Sequence, residues 1–182
     1  METDDEKLTQ CPGCSARFPK AEGAENRYGV ASQECWAAFN QMLAHERNSW
    51  GYPDVHRLVV DAYGIQHPQN FELQKQLGIE QRFIDASVQS VAIHLIALHF
   101  AIVEKKELKT ISRLMSRILS NGAKFPVLTP PDDLGAITVV DAPYGESLEE
   151  YSRFAWGWAN DAWSAWSAYH PEVKRWIEKY LV

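Results

Sequence analysis

The sequence predicts an all-α fold, an antiparallel helical bundle preceded by a loop-rich N-terminal segment. Three observations carry that expectation. Beyond residue 31, apolar residues recur mostly at steps of three and four, the period of a helix with one buried face. Residues 1 to 31 lack that period and hold Pro12, Gly13, Pro19, Gly23 and Gly29, which break regular structure. Only one run after the N-terminal segment, "AITVV", has strand-like composition, and it has no partner run.

The helices follow in order. Ser32 is a natural N-cap for "QECWAAFNQMLAHER", in which Trp36, Phe39 and Leu43 fall at helical spacing. "NSWGYP" breaks that helix, and "HRLVVDAYGIQHP" forms the next, closed by Pro68. Residues 68 to 79 read as a polar connection with a helical turn in "FELQKQLG". A long helix is expected over 80–104, apolar on nearly every side from Val91 onward and therefore central. "KELKTISRLMSRILSNG" is a shorter amphipathic helix stopped by Asn121 and Gly122. "FPVLTPPDDLGAITVVDAPYGES" is irregular, and its "AITVV" reads as loop or a lone extended segment. Ser147 and Glu150 then form a capping box ahead of an aromatic-rich helix, and "PEVKRWIEKYLV" is a short final helix.

Composition narrows the function. Hydrophobic residues make up 46% of the 182, enough for a core in one domain spanning 1–182, with 1–31 as an irregular segment and 32–182 as the bundle. A net charge of -6 argues against a phosphate backbone as partner, so no nucleic acid is expected. "METDDEKLTQ" is the opposite of a signal peptide, and the apolar run "VAIHLIALHFAIV" is too short to span a membrane. The expectation is a cytoplasmic protein, where the 3 cysteines are thiols or metal ligands.

Those cysteines are the strongest chemical signal. "CPGC" places Cys11 and Cys14 in a Pro-Gly turn that lets both thiolates point at one centre, as in zinc knuckles. Two competing readings are a redox pair, which normally opens a helix after a strand, and two plain loop thiols. Cys35 falls in the first turn after Ser32, where free N–H groups and the helix dipole favour a thiolate. Its bland alternative is a small core residue beside Trp36. Three cysteines ask for a fourth ligand. The Cys35 helix and the His67 helix join at a turn near Gly51, with Cys35 16 residues before it and His67 16 after, so the two come level. His67 is the expected fourth ligand of a Zn2+ site, against the alternative of a histidine that binds the last helix carbonyls. His56 lies near the turn, roughly 16 Å away along the axis.

A second polar spot is expected where His94 comes level with His56, with Asp61 or Tyr63 nearby. His56, Asp61 and His94 would bind a catalytic metal or act as acid and base, or else form a buried network that fixes helix register. His99 lies about 140° round the helix from His94. His45 and His170 read as surface residues. Tyr151, Phe154, Trp158, Trp163 and Trp166 form core stripes, while Trp156 and Trp176 are candidates for a groove or a partner surface.

"CPGC", "YGVASQECWAAF", "HRLVVDAYGIQHP", "SVAIHLIAL" and "LTPPDDLGAITVVD" resemble a family of uncharacterised bacterial proteins, a domain of unknown function, over most of the chain. The resemblance implies no activity. In those relatives a glycine often follows the second cysteine, where this chain has Ser15. Three functions follow from the sequence. The first is a zinc-binding protein with a structural Cys3His site, and the second a metal-dependent enzyme centred on His56, Asp61 and His94. The third is a protein-interaction module that presents its aromatic C-terminal helix to a protein partner.

Overall fold

The computed structural model describes residues 8–20, 30–68, 91–144 and 147–181. The chain is mostly α-helical, with one small sheet among the described residues. Residues 8–20 are more ordered than their sequence suggests. β1 (Leu8–Gln10) and β2 (Arg17–Pro19) pair antiparallel, with Thr9 opposite Phe18, and the CPGC turn joins them. Strands of three residues are too short for the period-two pattern to register, which explains why the segment reads as loop.

α1 (Gln33–Trp50) starts where expected: the Cys35 N–H donates to the Ser32 hydroxyl at 3.2 Å. It stops at Gly51, whose φ of 64° is left-handed and whose N–H returns to the Arg47 carbonyl. α2 (His56–Gln66) runs back along it. The expected connection at 68–79 and the first half of the 80–104 helix lie outside the described residues beyond Pro68. The second half is α3, residues 91–98, which widens into a π-helical turn over His99–Val103, where the Glu104 N–H reaches back five residues to His99. Ala92, Leu95, Ile96 and Leu98 are fully or almost fully enclosed, as expected of a central helix. α4 (Leu108–Ser120) packs against α6 (His170–Leu181), and α5 (Leu148–Ala165), opened by the Ser147–Glu150 capping box, packs along α2. No helix among the described residues is long and apolar enough to cross a membrane.

"AITVV" is not a strand. Residues 136–138 belong to no strand, Thr138 is extended, and Val139–Asp141 form a 3-10 turn that it caps. Its backbone is satisfied by side chains: Gln66 Nε2–H donates to the Ile137 carbonyl at 2.8 Å, and the Ile137 N–H donates to Asp161 Oδ2 at 2.8 Å.

The aromatic stripes do form the core, with Tyr151, Trp158 and Trp166 almost completely buried. Both buried indoles find acceptors on the end of α2: Trp158 donates to Gln66 Oε1 at 2.8 Å and Trp166 to the Ile65 carbonyl at 3.1 Å. Trp156 is half-buried. Trp176 is no partner-surface residue, because it is buried against Phe125. His45 and His170 also leave the surface role read from the sequence. His45 packs edge-on against Trp50 and Tyr144. His170 stacks on Trp163 at 3.7 Å and bonds its carbonyl. The helical period places a residue on a face and says nothing of a neighbouring ring that covers it.

Candidate metal centre

Cys11, Cys14, Cys35 and His67 converge, and their ligand atoms all lie within 4.8 Å of one another. Three separate devices bring them there. The β1–β2 turn presents the first two cysteines. Cys11 N–H bonds the Ala16 carbonyl at 2.8 Å and Ser15 N–H bonds the Cys11 carbonyl at 3.0 Å. That turn needs a left-handed residue after Cys14, and Ser15 takes it with φ 62°. Gly13 is needed for a different reason: a Cβ there would sit 2.6 Å from the His67 ring and 2.7 Å from the Gln66 carbonyl.

The start of α1 supplies the third cysteine. The Ser32 N–H lies 3.4 Å from Cys11 Sγ, so the helix cap also serves the cluster. The end of α2 supplies His67. Its Nδ1 lies 2.8 Å from the Tyr63 carbonyl, which only accepts, so Nδ1 carries the proton and Nε2 is left as a lone pair, 3.3 Å from Cys35 Sγ. The ring thus plays both roles weighed for it, carbonyl partner on one nitrogen and cluster member on the other.

The geometry fits a tetrahedral ion. Two sulfurs bound at 2.3 Å stand about 3.8 Å apart, and a sulfur and an imidazole nitrogen about 3.6 Å. Cys14 Sγ and Cys35 Sγ are 3.8 Å apart, and none of the cysteines is in a disulfide. All four residues are buried, at 0%, 4%, 0% and 2% exposure in chain order. The donor set also conflicts with itself unless a cation is present. Hydrogen bonds from Cys14 and Cys35 hold the Cys11 thiol far below its ordinary range. The same cluster pushes Cys14 up to about 12, first through its bond to Cys11, and Cys35 further up. Three thiols in one buried space oppose one another's ionisation. A divalent cation allows all three to ionise.

Tyr63 belongs here and not to the second polar spot. It sits one helical turn before His67 and stacks on its ring at 3.9 Å, with its hydroxyl 3.7 Å from Cys35 Sγ. Burial, then the thiol charges, push its phenol up, so it remains an O–H donor. Its spacing of four from His67 was the available signal.

The second polar spot is arranged differently from the expectation. His56 and His94 line one cleft at the start of α2, but each pairs with its own carboxylate. His94 Nδ1 lies 2.7 Å from Asp61 Oδ1. His56 Nδ1 lies 2.5 Å from Glu46 Oε1, and Tyr151 donates to the other Glu46 oxygen at 2.5 Å. Among the described residues, His56, Asp61 and His94 do not converge as a metal-ligand set. The reason is Glu46, which draws His56 toward α1. Glu46 is fully enclosed and continues the buried stripe of Phe39 and Met42. A carboxylate in an apolar stripe was the missed signal. His99, on another face, is buried with Nδ1 unpaired among the described residues, and burial pushes its imidazole down.

Gly64 lets α3 approach α2. A Cβ at Gly64 would lie 2.4 Å from the His94 ring. Gly64→Ala should therefore lower the melting temperature, although alanine is the better helix former by about 1 kcal/mol. Overpacking against a rigid ring costs roughly 1–3 kcal/mol. Thermal unfolding checks the sign, and a rise would show that His94 yields freely.

Fold and site together define a helical protein with a buried Cys3His cluster at the junction of a β-hairpin and two helices. The chain belongs to the Family of unknown function (DUF5946), which matches residues 9–167. No curated protein and no solved structure matches it.

Proposed function

We propose that this chain is a cytoplasmic zinc-binding protein whose Cys3His site is structural. The observation that carries the reading is the convergence of four buried donor atoms within 4.8 Å. Thiolate and imidazole ligands suit Zn2+, and a closed set of four protein ligands is the structural type. The role is to clamp the β1–β2 hairpin onto the α1–α2 hairpin. The hairpin itself offers only Ala16 and Phe18 as buried apolar residues besides its cysteines, too little to hold it in place.

Metal analysis of the purified protein tests this, with about one zinc per chain expected. A strong chelator should make the N-terminal hairpin cleavable by protease at a temperature where the helical signal is unchanged. Cobalt exchanged into the site should give the intense thiolate-to-metal absorption of a tetrahedral sulfur-rich centre. A chain that purifies without zinc and gives no such band would overturn the reading.

A further inference from the structure

The cleft at the opposite end of α2 from His67 is a separate site. It has a volume of about 420 Å³, within the range of small-ligand pockets. The first turns of α2 and α4 and the middle of α3 wall it, with His56, Arg57, Asp61, His94, Lys109 and Ser112 among the lining residues.

Two features go beyond a register-fixing network. The first is the pair of oriented histidines. Glu46 and Asp61, 0% and 2% exposed, each hold an Nδ1–H, which leaves both Nε2 atoms as the second functional nitrogens. His56 is a third exposed, and His94 Nε2 has no partner among the described residues. The second feature is Arg57. Its side chain is about three-quarters buried, and Nε, though 3.1 Å from Asp61 Oδ2, is too poorly aligned to form a hydrogen bond. Nη1 makes only a long 3.4 Å contact with Ser112. An arginine side chain this enclosed is normally matched by planar, well-aligned acceptors. At the rim, Lys109 meets Asp54 at 3.7 Å with both side chains largely exposed, a pair that holds neither in place.

We propose that this cleft binds the oxyanion group of a small polar molecule, a phosphate or a carboxylate. Arg57 takes the oxyanion through the Nη side of its guanidinium, with Nε held against Asp61, and Nε2 of His56 and of His94 serve it as proton-exchanging groups. The buried carboxylates behind them fix the tautomers, so neither ring must reorient when a proton moves. An ion held by the histidines is the weaker alternative, since no third donor converges with them.

The test is a titration of the metal-loaded protein with inorganic phosphate, and separately with acetate, against sodium chloride at matched ionic strength. Imidazole NMR signals of the six histidines are the readout. Saturable shifts of His56 and His94 are expected, with His45, His99 and His170 unmoved. The anion that saturates at the lower concentration identifies the ligand group. Arg57→Gln should weaken that binding roughly tenfold or more. The exposed-side variant His56→Gln should remove the His56 signal and keep a weakened His94 response, even if Arg57→Gln fails to fold. Equal small shifts across all histidines, or none with either anion, would overturn the proposal.

Discussion

Cys35→Ser is expected to empty the metal centre and to lower the melting temperature by on the order of 8–16 °C. Losing a bound metal costs about 4 kcal/mol or more, and a chain of this size loses about 2–4 °C per kcal/mol. Cys35 is the most connected ligand. It is 0% exposed, sits 3.8 Å from Cys14 Sγ and 3.3 Å from His67 Nε2, and receives the Tyr63 hydroxyl. Serine is nearly isosteric and leaves the Ser32 cap intact, because that cap uses the backbone N–H of Cys35. The effect therefore reports the metal rather than the helix. Chelated wild type and chelated Cys35→Ser should melt together, since both have lost the same ion. Tyr63→Phe should cost far less, roughly tenfold in metal affinity, as expected for a partner behind the ligand. A Cys35→Ser protein that retains one zinc per chain, or melts like the metal-loaded parent, would remove Cys35 from the ligand set.

The convergence of these four residues was legible because each rests on local geometry. A CxxC turn, a capped helix start and the equal spacing of Cys35 and His67 about Gly51 place all four with no knowledge of the core. What stayed hidden depends on contacts between distant elements. The pairing of His56 with Glu46 requires the α1–α2 crossing, and Tyr151 reaches the same carboxylate from α5, 105 residues away. Burial, then Glu46, push the Tyr151 phenol up, so it stays a donor to that buried charge. "AITVV", read as loop or a lone extended segment for want of a partner run, indeed forms no strand. Its β-branched composition favours extended backbone, but a strand needs a neighbour, and here Gln66 and Asp161 side chains take the place of one.

Gln66→Leu is expected to destabilise the fold by about 3–6 kcal/mol, near the effect of losing the metal. In sequence Gln66 is an ordinary polar residue before "HP". In the structure it is 0% exposed and its amide is fully used. Nε2 donates to the Leu134 carbonyl at 3.1 Å and to the Ile137 carbonyl at 2.8 Å, while Oε1 accepts the Trp158 indole at 2.8 Å. Leucine has a similar volume, so no large cavity opens. The cost comes from three polar groups left without a partner, two buried and one partly buried, each worth about 1–3 kcal/mol, less what leucine gains by burial. Gln66→Glu should also destabilise, because a carboxylate keeps the indole acceptor but faces two carbonyls that it cannot serve. Gln66 adjoins His67, and its carbonyl packs against Gly13 of the CPGC turn. The loss should therefore also appear as weaker zinc retention, with every ligand still present. Urea unfolding of the zinc-loaded variants measures the stability, and competition with a chromogenic chelator measures the retention. If Gln66→Leu unfolds within about 1 kcal/mol of the parent, water or a rearranged loop serves these groups, and Gln66 does not tie the 134–138 segment to the end of α2.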